Sequence, residues 1–313
     1  MLGAACRRTL GHTPEPNCVR CHTDEQTCHG DDTRCVLLYR MKGHVVNPFF
    51  RPADTELVHA VGSSSARALG RWLLPVVLLA FVAGGVVVTA HTVKSLRESV
   101  ELARLSEPLQ YAPRGARMRL LIVGDSTGVG TGASEARDSV AGLLAREFAR
   151  LHIENRSSDG ATLADVARQL GGTARFDMVL VQAGGNDVIR LRGLGGLRSD
   201  VDRIVALARE RADQVVLMPA GNIGNAPFFR APLSWWMTWR SRQLHRFVRE
   251  AAERHALVYV NLFHEHGDDP FVAQPGLNAR DGLHPSDAGY RVWFDALVSQ
   301  AELSRQLASA RAL

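Results

Sequence analysis

Cysteine disappears from this chain after residue 35: all five, Cys6, Cys18, Cys21, Cys28 and Cys35, lie near the start. Everything downstream therefore has no disulfide, no thiolate nucleophile and no thiolate metal ligand, and suits either redox compartment. Lysine is scarcer still. Of the 37 basic residues only Lys42 and Lys94 are lysines, and no Gly-Lys-Ser/Thr follows a glycine-rich loop, which excludes a P-loop. Aromatic residues make up only 6% of the chain, and no arginine cluster is interleaved with them. From Gly115 onward 24 arginines stand against 22 acidic residues, so little of the formal +5 belongs to that part. These features argue against nucleic-acid binding.

Residues 1–70 are polar and lack a helical or strand period, so little fixed structure is expected there. Cys18 and Cys21 have C-x2-C spacing with His22 and His29 nearby, which suggests zinc. Cys28 and Cys35 are too far apart to complete a ribbon or finger, and no metal site is assigned. Another reading starts the protein at Met41, with residues 1–40 a gene-model extension.

Charge is missing from one further stretch, Trp72–Ala90. Its 19 residues are long enough to cross a bilayer. A single transmembrane helix or signal anchor is expected over residues 71–91. Cleavage is the other reading, because Val88 and Ala90 are small residues at peptidase-site spacing. Arg67 and Arg71 before the run nearly balance Lys94 and Arg97 after it, so the flanks orient it weakly. A bacterial cytoplasmic membrane protein is expected, single-pass through 72–90, with its C-terminal domain on the periplasmic side. Residues 92–115 read as a juxtamembrane linker containing a short amphipathic helix. One face carries Val93, Leu96, Val100 and Ala103, and Pro108 and Pro113 end it.

From residue 116 to 305 apolar runs alternate with amphipathic segments. "MRLLIVG", "HIENRS", "FDMVLVQ", "QVVLMPA" and "LVYVNLF" read as strands. Helices are expected over 139–152, 162–170, 197–211, 242–256 and 286–303. Such alternation means βαβ units, a parallel sheet and helices on both faces. Ligands in such folds sit beyond the carboxyl ends of the strands. Those loops carry Gly124-Asp125-Ser126, then "NRSSDG" with Asn155 and Gly160, then "GGND" ending at Asp187, and finally "DGLHP" before the last helix.

Acyl transfer needs a nucleophile with a base in reach, an acceptor behind the base, and donors for the oxyanion. Ser126, His284 and Asp281 match the first three roles. The backbone N–H of Ser126, that of Gly160 and the amide of Asn186 match the last. Asp125 is expected to shape the loop rather than transfer a proton. This set resembles the SGNH hydrolases, or GDSL esterase/lipase family, across roughly residues 118–300. Its name-giving residues fall on Ser126, Gly160, Asn186 and His284, with Asp281 as the triad acid. Thr127 departs from the leucine of the GDSL name, and the second loop matches through spacing from Asn155. The resemblance implies a flavodoxin-like three-layer α/β/α sandwich with a five-stranded parallel sheet. It also implies a serine esterase that uses no metal or cofactor. Acyl esters, lysophospholipids and acetylated glycans are the substrates considered. The alternatives are an acyl-thioesterase or a catalytically silent membrane-tethered binding module of the same fold.

"GDSTG" also satisfies G-x-S-x-G, but the α/β-hydrolase elbow follows several strands and Ser126 follows the first. "GVGTGA" satisfies a dinucleotide fingerprint, but begins beyond the strand end and leaves "GGND" and "DGLH" unexplained. In "FHEHGDDP", His264, His266, Asp268 and Asp269 suggest a metal site or, more simply, a solvated loop. Phe228, Phe229, Trp235, Trp236 and Trp239 crowd one segment, read as a loop packed on the domain, an acyl-pocket wall or a bilayer-touching surface.

Overall fold

The computed structural model describes residues 62–303; the cysteine motif and the Met41 question lie outside the described residues. The chain divides into two units, 1–67 and 68–313. Of the first, only 62–67 is described, as the opening of a helix, and all that follows concerns the second.

Helix α1 (Gly62–Leu105) is a single run of 44 residues. The apolar stretch and the amphipathic segment were expected to be separate, but they form one helix. No proline or glycine interrupts residues 86–105. The Thr89 and Thr92 hydroxyls donate to the carbonyls of Gly85 and Val88, four residues back, as continuous helix permits. Among the described residues α1 has the one stretch, Pro75–Leu105, long and apolar enough to cross a membrane. Every side chain from Pro75 to Ala90 is exposed. So large an apolar surface is not a stable water-facing one.

The domain follows as β1 (Met118–Gly124), α2 (Ser126–Val129), α3 (Val140–Glu147), β2 (Leu151–Asn155), α4 (Leu163–Gln169), β3 (Met178–Gln182), α5 (Gly185–Ile189), α6 (Leu194–Arg211), β4 (Gln214–Leu217), α7 (Leu233–His255), β5 (Val258–Tyr259), α8 (Pro270–Ala273) and α9 (Asp287–Gln300). The five strands are all parallel, in the order β2-β1-β3-β4-β5. Their near-continuous apolar runs follow from burial on both faces. Leu121, Val123, Val179, Val181, Val215 and Leu217 point to one core with α4, α6 and α7. The alternate residues Leu120, Ile122, Met178, Leu180 and Val216 point to a second core with α3 and α9. This is the expected α/β/α sandwich.

Element bounds differ most from the sequence reading at three places. The helix expected over 139–152 stops at Glu147, because Leu151 and His152 pair with Met118 and Arg119 as strand. β5 shrinks to two residues, since only Val258 and Tyr259 find partners on β4. Helix α7 begins at Leu233, nine residues early, so the tryptophans lie on its first turns and not in a loop. The buried residues Met237, Arg240, Ser241 and Leu244 give that extension its anchoring face.

The order reverses at β1. The chain steps from β1 outward to β2, then crosses back to β3 on the other side. That switch point opens a crevice beyond the carboxyl ends of β1 and β3.

Candidate active site

Gly124 ends β1 opposite Gln182 of β3. A Cβ there would lie 2.1 Å from the Gln182 carbonyl oxygen, so only glycine lets the strands close. The Gln169 amide clamps both polar groups of Gly124, accepting from its N–H at 2.7 Å and donating to its carbonyl at 2.9 Å. Asp125 then caps α2, accepting from the Thr127 N–H at 3.0 Å and its hydroxyl at 2.8 Å. The threonine that departs from the GDSL name thus holds Asp125. The backbone of Gly185, at the start of α5, also lies near this buried carboxyl, a Cβ there falling 3.8 Å from Asp125 Oδ2. Burial pushes Asp125 above the usual carboxylate range, against those hydrogen bonds. Ser126 is the first residue of the helical turn, so its N–H has no intrahelical acceptor.

The second loop is tied to this turn. Asn155 donates from Nδ2 to the Gly128 carbonyl at 2.8 Å and accepts from the Ser157 N–H at 3.0 Å. Thr131 donates to Asp159 at 2.6 Å. Gly160 has φ +72, a left-handed conformation suited to glycine.

After β3, Gly184 (φ +112) caps α5, which bears Asn186 and Asp187. Asn186 donates from Nδ2 to the Ala161 carbonyl at 3.1 Å, joining the second and third loops. Asp187 points inward and accepts from the Leu163 N–H at 2.9 Å. Arg240 of α7 braces the far end of α5, donating to the carbonyls of Val188, Asp187 and Arg192. Sequence reading did not find Arg240. Its signal is a charged residue on the buried face of α7, among Met237, Leu244 and Val248.

The fourth segment closes the arrangement. His284 Nε2 lies 2.9 Å from Ser126 Oγ, and His284 Nδ1 lies 2.6 Å from Asp281 Oδ2. Asp281 Oδ1 accepts from the N–H groups of Leu283 at 3.0 Å and His284 at 3.1 Å. Burial alone would raise the Asp281 carboxyl. The His284 hydrogen bond and charge, with the two N–H groups, hold it below the usual range. The segment is fastened to the Ser126 loop by contacts that no motif announced. Tyr290 donates to the Thr131 carbonyl at 2.8 Å, and Ser134 donates from N and Oγ to Asp287 at 2.6 and 2.8 Å. Gly132, at φ +99, lets the two backbones meet, since a Cβ would sit 2.4 Å from the Pro285 carbonyl oxygen.

Ser126, Gly160, Asn186 and His284 all line one cleft of about 340 Å³, within the usual range for small-ligand sites. Its other walls include Ile189, Ile223, Leu262, Phe271 and Trp293. Leu96, Ser99, Val100 and Ala103 of α1 also line it. The sequence reading had placed three of these on the apolar face of a linker, with no link to the site.

The other candidates have structural partners, and of them Asp269 lines the cleft. Asp269 caps α8 and accepts from Asn225, and His266 pairs with Asn225. Among the described residues no group of three or more His, Cys, Asp or Glu could hold a metal ion. Trp235, Trp236 and Trp239 are exposed and do not line the cleft, so they do not form the acyl-pocket wall once considered for them.

The GDSL-like lipase/acylhydrolase family model matches residues 122–292. A GDSL-like esterase of Mycobacterium tuberculosis is 29% identical over 192 residues, covering 58% of this chain and 60% of that protein. The chain thus spans about 60% of the length of the curated relative it matches. Among solved structures, TesA is 22% identical with a TM-score of 0.48, covering 58% of this chain and 97% of TesA. A lipase/acylhydrolase from Enterococcus faecalis is 22% identical with a TM-score of 0.46, covering 58% of this chain and 94% of its own. Because the family model covers more than half of the sequence and includes the loops that line the cleft, the chain belongs to the GDSL-like lipase/acylhydrolase family.

Proposed function

We propose that this protein is a serine ester hydrolase in which Ser126, His284 and Asp281 form the catalytic triad. The carrying observation is the unbroken hydrogen-bonded line from Asp281 through His284 to Ser126, at 2.6 and 2.9 Å, within an apolar cleft. Ser126 Oγ attacks the ester carbonyl carbon while His284 Nε2 takes its proton. Asp281 stays ionised, fixes the tautomer with the proton on Nδ1, and stabilises the imidazolium. The tetrahedral oxyanion is met by the N–H groups of Ser126 and Gly160 and by the second amide hydrogen of Asn186, the first being held by Ala161. Collapse expels the alcohol, protonated by His284. Water, deprotonated by the same His284, then attacks the acyl-Ser126 carbonyl, and His284 returns that proton to Ser126 Oγ as the carboxylic acid leaves. Each oxyanion donor is worth about 2.7–4 kcal/mol in the transition state.

The uncharged run Trp72–Ala90 within α1 supports a membrane anchor. We propose that the hydrolase domain lies outside the cytoplasmic membrane. The test is hydrolysis of p-nitrophenyl acetate by the purified full chain and by Ser126→Ala. Turnover is expected to fall at least about a thousandfold in the variant. Equal inertness of both proteins would overturn the reading and favour a binding module.

A further inference from the structure

The end of α1 is bound to the domain at several points. His91, the residue after the uncharged run, approaches the Pro227 carbonyl with Nε2 at 3.2 Å. Ser95 is buried. Glu101 pairs with Arg280 at 3.1 Å, beside the Asp281–His284 segment. Beyond the helix, Tyr111 exchanges backbone hydrogen bonds with Ile153 at 3.1 and 2.7 Å, and Gln110 holds both polar groups of the Asn155 backbone. The segment from 91 to 111 is thus pinned at both ends, with its helical part beside the cleft.

What it presents there is apolar. Leu96, Val100 and Ala103 fall at helical spacing and line the cleft together with Ile189, Ile223 and Phe271. Leu96 is 54% exposed and Val100 45% exposed, although both line a cleft that contains Ser126. Fixed apolar side chains that line a cleft and remain uncovered gain most from an apolar ligand group. The geometry points to an acyl-binding subsite, one side of which is the last turns of the anchor helix, with Leu96 and Val100 contacting an aliphatic acyl chain. This inference rests on the ester-hydrolase reading. In this arrangement α1 is both tether and specificity element. At 1.5 Å per residue, Leu96 lies only about 9 Å along the helix from Ala90, so the acyl subsite begins close to where the apolar run ends.

The test compares kcat/KM for p-nitrophenyl octanoate and p-nitrophenyl acetate in the full chain and in a Leu96→Ser/Val100→Ser double variant, both in the same detergent. Circular dichroism checks that both are folded; the two positions are half-exposed, so the fold should tolerate serine. The octanoate-to-acetate ratio is expected to fall at least about tenfold, the equivalent of fewer than two buried methylene groups. An unchanged ratio overturns the subsite. A second measurement does not depend on turnover: octanoate binding by calorimetry in a Ser126→Ala background. Binding at least about fivefold weaker with the two serines supports the subsite, and equal binding overturns it. If the native chain hydrolyses neither ester, the hydrolase reading fails while the binding measurement still decides the subsite.

Discussion

Replacing Asp187 with asparagine should change how the stability of this protein depends on pH. Asp187 is 1% exposed, and only one of its two carboxyl oxygens is satisfied, by the Leu163 N–H at 2.9 Å. Burial pushes its pKa up to about 6. The charges of Asp200 and Asp125 add to the rise, while the Leu163 N–H and the charge of Arg192 oppose it. The unfolded chain has the ordinary value of 3.8. Between these values the folded protein binds a proton that the unfolded chain releases. The protonated carboxyl therefore favours the fold fully below about pH 3.8, and that contribution disappears as pH rises through about 6. The gap corresponds to about 3 kcal/mol in full, of which roughly 2–3 kcal/mol lies between pH 4 and pH 7. Asparagine keeps an acceptor for Leu163 but does not titrate. Urea unfolding of the two full-length proteins in detergent, followed by tryptophan fluorescence at pH 4, 5, 6 and 7, measures the difference directly. Titrating groups remote from Asp187 cancel in that comparison. The variant should gain about 2–3 kcal/mol relative to the native protein between pH 4 and pH 7. A difference that stays flat with pH, or falls, would refute the assigned burial effect.

Two further outcomes follow from the site. Asp281→Asn should lower kcat on p-nitrophenyl acetate by about 10³–10⁴-fold with little change in KM, because an amide can hold His284 in the wrong tautomer; steady-state kinetics checks this. Gly184→Ala should destabilise by about 2–4 kcal/mol, since a side chain at φ +112 is strained and its Cβ would sit 2.7 Å from Leu244 Cδ2. Gly193→Ala is the control, with nothing within 4 Å of the added carbon, and should leave the melting temperature nearly unchanged.

Local chemistry in the chain determined much of this protein. Apolar runs too continuous for a one-sided sheet implied strands covered on both faces, and α/β layers follow from that alone. The loops after those strands could be searched for a candidate nucleophile, base and donors because each role demands a particular residue type. Non-local contacts decided the rest. Strand β5 ends after two residues because β4 offers it partners only at Val216 and Leu217. Helix α7 starts early because Met237, Arg240 and Ser241 find the domain beneath them, and Arg240 becomes a brace only when the end of α5 arrives. The Tyr290–Thr131 and Ser134–Asp287 bonds join residues more than 150 positions apart, beyond the reach of any motif. The apolar face of residues 93–103 was visible as a period, but a helical period states only that a face seeks apolar company. Tertiary packing, which pins residues 91 and 111 to the domain, turned that face toward Ser126.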